Sequence, residues 1–410
     1  MVTTAARLAG LVLANIVLAG CAAHSFPLDN QFIGPVPSCA GPDALTPCPQ
    51  RDVVQLFSDM NGTLYPSGWQ GRFQPRMSRK RPGEGRWLAG NLLAQSAGNR
   101  KFRDLITRDT GRQLKAVHAF AQRHQRIFIL VHGFNASVGD ARPDFELVEN
   151  TLDLKAGDGV IRFHWDGLIG SGVGAVKNWF KVASSSQLVG SRGLRGVLDA
   201  VEGRDVYLIS HSRGASVVLS ALGNPVHNPK FLSKTRLQAA LWGISFRALT
   251  SPAPLQERSN RLHVLMLAPA IGRIDFCDAR AQPKSFKDFV CPRFRPLGKQ
   301  VASFAYTVNS EDPMLGKSIL SSRALTPTGF GYLAAVGKEL AAEYPLMKPY
   351  VLTPPQGFHA FKDYAAHPLF LTMIQDAGFR GGVPVPEQSA PLIVKPSKEL
   401  PSAAFEENSP

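Results

Sequence analysis

The residues with the clearest chemical meaning are Ser210-His211-Ser212-Arg213-Gly214. They stand between an apolar run at 206–210 (VYLIS) and a helix-like stretch at 214–222 (GASVVLSAL). A sharp strand-to-helix turn of this kind lifts a serine hydroxyl off a sheet edge, where an imidazole can take its proton and make it a nucleophile toward an acyl carbonyl. The pattern is G-x-S-x-G with Ser210 in place of the first Gly, and Ser is the next smallest choice after Gly and Ala for so tight a turn. A second group, His132-Gly133-Phe134, lies about eighty residues earlier and closes another apolar run, 126–131 (RIFILV).

These groups need a frame, and the patterning supplies one. Short apolar runs read as buried strands at 126–131, 160–165 (VIRFHW), 206–210, 262–267 (LHVLML), 301–308 (VASFAYTV) and 350–353. Helical spacing appears at 143–154, where Phe145, Val148 and Leu152 share one face, at 214–222 and at 368–377 (PLFLTMIQDA). Strands separated by helices predict an α/β architecture with a mostly parallel sheet and helices on both faces. Two longer connections, 167–196 with Trp179 and Phe180 and 224–260 with Leu241, Trp242 and Phe246, fit either a lid over the sheet's carboxyl edge or helices completing the packing.

Together, the HGF box, the strand ending in Trp165 and the HS-x-G turn make the chain resemble an α/β hydrolase of the esterase/lipase type over roughly residues 125–380. The resemblance implies that the backbone N–H groups of Phe134 and Arg213 form an oxyanion hole. It also implies that an acid and then a histidine follow the nucleophile Ser212. Asp312, just past the 301–308 strand, fits the acid, with Glu311 and Asp275 as alternatives. His359, in Gly357-Phe358-His359-Ala360-Phe361, fits the base, with His367 as the alternative at the start of the last helix. His132 and His211 sit on the wrong strands for a base and read as hydrogen-bonded positioning residues.

The beginning of the chain is of a different kind. Arg7 precedes an uncharged run at 8–20 (LAGLVLANIVLAG), too short to span a bilayer and suited to a signal peptide. It closes on Leu18-Ala19-Gly20-Cys21, which is similar to the lipobox of bacterial lipoproteins. That resemblance implies lipidation of Cys21, and Ala22 after it favours the outer membrane facing the periplasm. The expected organisation is a signal peptide at 1–20, a Pro-rich tether at 21–50, an α/β-hydrolase domain at 51–380 with its core at 125–380, and an extended tail at 381–410. Four cysteines remain for an oxidising compartment. Of three possible connectivities, the local pairs Cys39–Cys48 and Cys277–Cys291 are expected, each worth roughly 2–3 kcal/mol by loop closure.

The net charge of +15 favours anionic surfaces, and the leader takes away only Arg7. The densest basic stretch, 72–86 (RFQPRMSRKRPGEGR), reads as a solvated loop or as a contact for anionic lipid. No nucleic-acid motif, phosphate-binding GxxxxGK[ST] loop, dinucleotide fingerprint or zinc-ligand spacing occurs, so neither nucleic acid, a cofactor nor a metal is expected. The sequence therefore points to a lipid-anchored serine hydrolase acting on an acyl ester. The alternative is a non-catalytic envelope protein that uses the same fold for binding or assembly.

Overall fold

The computed structural model describes residues 24–25, 34–38, 51–67, 92–152, 154–170, 172–281, 291–316 and 328–378. The expectations for the 1–20 leader, Cys21, Cys39, Cys48, the 72–86 basic stretch and the 381–410 tail lie outside the described residues.

In chain order the elements begin with β1 (Gly34–Ser38), β2 (Arg51–Ser58), α1 (Leu92–Ser96), α2 (Arg100–Gln122), β3 (Arg126–Val131), α3 (Val138–Thr151) and β4 (Asp158–Trp165). They continue with α4 (Gly172–Leu188), a π-helical stretch at Val189–Leu194, α5 (Arg195–Ala200), β5 (Asp205–His211), α6 (Gly214–Leu222), α7 (Pro229–Trp242) and α8 (Phe246–Thr250). The last are β6 (Arg261–Leu267), β7 (Val301–Val308), α9 (Gly329–Tyr332), α10 (Ala334–Ala341), β8 (Met347–Val351), α11 (Phe361–Ala366) and α12 (Pro368–Asp376).

Among the described residues, eight strands form one sheet in the order β1-β2-β4-β3-β5-β6-β7-β8. Strands β2 to β8 run parallel, and β1 lies antiparallel on β2 at the edge. This is the mostly parallel sheet expected, with two strands more on the amino-terminal side. Residues 34–38, expected to be tether, form an edge strand (GPVPS). Its two prolines are tolerated because an edge strand has one row of backbone groups free of the ladder.

Period-two alternation explains why both faces are covered. Ile127, Ile129 and Val131 of β3 join one core with Val117 and Phe120 of α2, Val182 of α4, Val197 of α5 and Val217 of α6. Phe128 and Leu130 face the other way, onto Phe145 and Val148 of α3 and Phe370 and Met373 of α12. Two bidentate ion pairs add register. Arg126 binds Asp158 across β3 and β4, and buried Arg162 of β4 binds Glu149 of α3 at 2.6 and 2.7 Å.

The second half of the 167–196 connection completes the packing, with Val182, Val189 and Leu194 buried in the core. Residues 229–250 form α7 and α8, which pack Ala239, Trp242 and Leu249 on Leu93 of α1 and Leu188 of α4. The bond between Cys277 and Cys291 is present.

Candidate active site

The carboxyl ends of β3, β5, β7 and β8 converge where the sequence concentrates its chemistry. Ser212 follows β5 at φ +51°, a left-handed conformation unusual for a residue with a Cβ. Such strain persists only where the surroundings impose it. Here the Ser212 N–H donates to the Leu267 carbonyl at the end of β6 (2.9 Å), and the Ser212 carbonyl accepts from Ala270 and Ala215 (both 3.1 Å). Gly214 is required by close approach: a Cβ there would lie 2.6 Å from the His132 carbonyl oxygen and 2.8 Å from that of Val131. Helix α6 therefore starts directly against the end of β3. Ser210, in the position of the missing glycine, is fully buried, and its hydroxyl has no partner among the described residues.

The structure brings Ser212, His359 and Asp312 together. His359 Nε2 lies 3.0 Å from Ser212 Oγ, and its Nδ1 lies 2.9 and 2.8 Å from the two carboxylate oxygens of Asp312. Asp312 is fully buried but well supplied with donors. Its Oδ1 accepts from Met314 N–H (2.9 Å) and Leu315 N–H (3.0 Å), and its Oδ2 accepts from Tyr364 Oη–H (2.8 Å). A carboxylate held this way keeps Nδ1 of the imidazole protonated and leaves Nε2 free to accept the serine proton. The alternatives lie elsewhere. Asp275 accepts from Gly272 N–H, Glu311 is exposed, and His367 Nδ1 accepts from Leu369 N–H as the cap of α12.

Two further residues fix this arrangement. Asn309, at the end of β7, accepts from Gln356 N–H (3.0 Å) and donates to the Gln356 carbonyl (2.8 Å) and to Tyr364 Oη (3.1 Å), tying the Asp312 turn to the His359 loop. His211 donates from Nε2 to the His359 carbonyl at 2.7 Å and stacks on Phe361. Burial drives the His211 pKa well below the ordinary histidine value, so it holds that loop as a neutral ring.

His132 does the same for the opposite wall. Its Nδ1–H donates to the Gly133 carbonyl (2.9 Å), which leaves Nε2 to accept from Trp165 N–H (3.1 Å). Trp165 Nε1–H returns to the His132 carbonyl (2.8 Å). Burial lowers the His132 pKa to about 4, so this tautomer is the neutral-pH species. The clamp sets the Gly133–Phe134 turn. The N–H groups of Phe134 and Arg213 make no backbone hydrogen bond to another described residue, which leaves them available to an oxyanion. Phe134 meets Trp179 edge-on at 5.5 Å, and the Arg213 guanidinium lies 5.0 Å over the same indole. Burial lowers the Arg213 pKa to about 10, so it remains charged at neutral pH.

Among the described residues, no group of three or more His, Cys, Asp or Glu could hold a metal ion, and no helix is long and apolar enough to cross a membrane. Sequence reasoning missed Tyr364 and Asn309: a tyrosine on an amphipathic helix reads as core, and an asparagine after a strand reads as a turn.

One comparison with known proteins agrees with this architecture. Residues 110–277, under half of the chain, match a family described as alpha/beta hydrolase of unknown function (DUF900). That segment contains the His132 clamp and Ser212. No curated protein matches the sequence. Among solved structures, an iodinated complex of an acetyl xylan esterase aligns over 53% of this chain and 92% of its own, at 15% identity and a TM-score of 0.26. So low a score carries no argument. The chain has an α/β-hydrolase fold.

Proposed function

We propose that this protein is a serine hydrolase that cleaves an acyl ester through Ser212, His359 and Asp312, held at a bacterial envelope membrane by lipid on Cys21. The observation that carries the reading is the run of hydrogen-bond distances from Ser212 Oγ through His359 to Asp312, ending on a serine in a left-handed turn. No ordinary packing role requires this combination.

The chemistry follows from the geometry. His359 Nε2 takes the proton as Ser212 Oγ attacks the acyl carbonyl, and the resulting imidazolium is stabilised by Asp312. The N–H groups of Phe134 and Arg213 receive the developing oxyanion. Removing one such donor typically lowers turnover by about 10²–10³-fold. His359 then gives its proton to the leaving alkoxide, and water admitted to the same imidazole releases the acyl group. Thioesters and amides are served by the same machinery, and an ester is the proposed substrate.

The test is covalent labelling of the full-length protein in detergent with a fluorophosphonate, beside Ser212→Ala and His359→Ala. Labelling of the wild type and neither variant is the expected result. A folded wild type that stays unlabelled removes the reading and leaves the fold as a binding or assembly scaffold. Acylation of Cys21 is checked by mass spectrometry of the mature amino terminus, and the outer-membrane location by membrane fractionation.

A further inference from the structure

The first described residues are not a free leash. His24 and Ser25 are buried, at 7% and 4% exposure, although they stand just three and four positions after Cys21. Both end on one carboxylate: His24 donates from Nδ1 to Asp166 Oδ2, and the Ser25 N–H donates to Asp166 Oδ1 at 2.9 Å. Asp166 is fully buried and rigidly held. Its own N–H donates to the Ser58 carbonyl (3.0 Å), and its Oδ1 also accepts from Leu168 N–H (3.2 Å). A terminal segment normally stays solvated and mobile, and burying an imidazole beside a carboxylate is costly unless the geometry is well satisfied. Here it is satisfied, so the chain is fixed at this point.

The position of the dock matters. Asp166 follows Trp165 at the carboxyl end of β4. A Cβ on the next residue, Gly167, would lie 3.2 Å from the Gly133 carbonyl oxygen and 3.5 Å from Phe134 Cα. The dock therefore abuts the turn that presents the Phe134 N–H. Strand β4 lies two places from β5 in the sheet, a lateral distance of roughly 10 Å from the strand that ends at Ser212. From His24 back to Cys21 the chain can span at most about 11 Å.

We infer that this dock holds the mouth of the site against the lipid surface, and that the ester it cleaves is an acyl lipid or amphiphile carried in that leaflet. The inference rests on the hydrolase and lipid-anchor reading above and names its substrate class. A diacylated Cys21 sits at headgroup level, so these two spans, joined through the His24 and Asp166 side chains, keep the nucleophile within roughly 30 Å of the headgroups. A long flexible tether would let the site turn toward water, but a dock three residues from the anchor does not. A second feature points the same way. Helix α7 contains no acidic residue and exposes Leu237 and Leu241, each 67% exposed, with Lys230 and Lys234 also exposed. Basic residues beside exposed leucines suit an anionic lipid interface. This helix packs through Ala239 and Trp242 on Leu93 of α1. The neighbouring Leu92 N–H donates to Asp59 Oδ2, one residue past the Ser58 that pairs with Asp166.

The experiment uses the full-length acylated protein in vesicles of phosphatidylethanolamine and phosphatidylglycerol that carry a fluorogenic long-chain ester. A water-soluble short-chain ester serves as comparator. His24→Ala takes away the imidazole contact and leaves only the Ser25 N–H on Asp166, whereas twelve Gly/Ser residues inserted between Ala22 and Ala23 keep the dock and add a flexible reach of roughly 20 Å. Both are expected to lower vesicle-ester hydrolysis about tenfold by diluting the site away from the leaflet, with soluble-ester hydrolysis unchanged. Unchanged vesicle hydrolysis in the insertion variant, with the soluble ester still cleaved, overturns the inference and leaves the hydrolase reading intact. Finding Cys21 unacylated also overturns it. Failure of wild type on both esters, with no fluorophosphonate labelling, removes the hydrolase reading itself.

Discussion

Asp312→Asn is the substitution that most sharply tests the site, because the structure dictates how the new amide must sit. Asp312 Oδ1 accepts from two backbone N–H groups, those of Met314 and Leu315. An amide NH₂ in that place would confront two donors, so the Asn oxygen takes it and the nitrogen takes the Oδ2 position. That nitrogen then faces Tyr364 Oη, which can rotate to accept, and His359 Nδ1. The nitrogen in the Oδ2 place competes with the amide oxygen at Oδ1, 2.9 Å from the same Nδ1, and wherever the nitrogen donates, the ring proton moves to Nε2, which points at Ser212 Oγ and no longer acts as base. The fold loses no buried contact, yet the imidazole is held in the wrong tautomer. A loss of this kind is worth about 10⁴ in turnover, or about 5 kcal/mol at 1.36 kcal/mol per tenfold. The assay is the second-order rate of fluorophosphonate labelling at pH 7.5, with a urea unfolding midpoint to show that the variant is folded. Asp275→Asn is the control, since that carboxylate accepts from Gly272 N–H and does not reach His359. Labelling of a folded Asp312→Asn within tenfold of wild type would refute the assignment of Asp312. A collapse in Asp275→Asn alone would transfer the role.

Three other outcomes follow from the packing. Gly214→Ala forces α6 away from the main-chain oxygens of His132 and Val131, so a loss of about 1–3 kcal/mol in urea unfolding is expected, together with slower labelling because the Ser212 turn shifts; wild-type values for both would show that the approach is not tight. The His132 pKa falls from 6.5 to about 4 on folding, so the unfolded chain binds more protons between these values. Its contribution to stability is fully present above pH 6.5 and is lost as pH falls to about 4, by up to about 3 kcal/mol. His132→Asn should flatten that part of the stability–pH curve, and an unchanged slope would count against it; His164, His211, His227 and His263, all lowered by burial, leave a residual slope in the variant. Glu149→Ala leaves the Arg162 guanidinium buried, with Glu146 at 3.6 Å as its remaining partner, and should cost about 3–5 kcal/mol in urea unfolding; a loss under 1 kcal/mol would show that Glu146 substitutes fully.

What could be read in the sequence was whatever one short stretch of chain determines by itself. The turn at Ser212 demands small neighbours between an apolar strand and a helix, so its setting was visible. Choosing Asp312 over Glu311 depended on position in the fold, because one residue's difference in a turn decides which carboxylate points inward. The structure supplies the reason: Asp312 caps two backbone N–H groups of its own turn while Glu311 stays exposed. Residues 167–196 were ambiguous because Gly and Ser also mark loops. In place they are small so that helices can nest, and a Cβ on Gly190 would lie 2.1 Å from the Val217 carbonyl oxygen. Strand β1 was hidden by its prolines and β2 by an apolar pattern (RDVVQLFS) that does not alternate cleanly. The pairing of His24 with Asp166 carried no local signal whatever, since 142 residues separate the partners. Such long-range contacts are where a reading of function from motifs stops. The motif at Ser212 shows in one stretch of chain, whereas the contact of His24 with Asp166 beside the Phe134 turn exists only once the sheet has brought the two ends together.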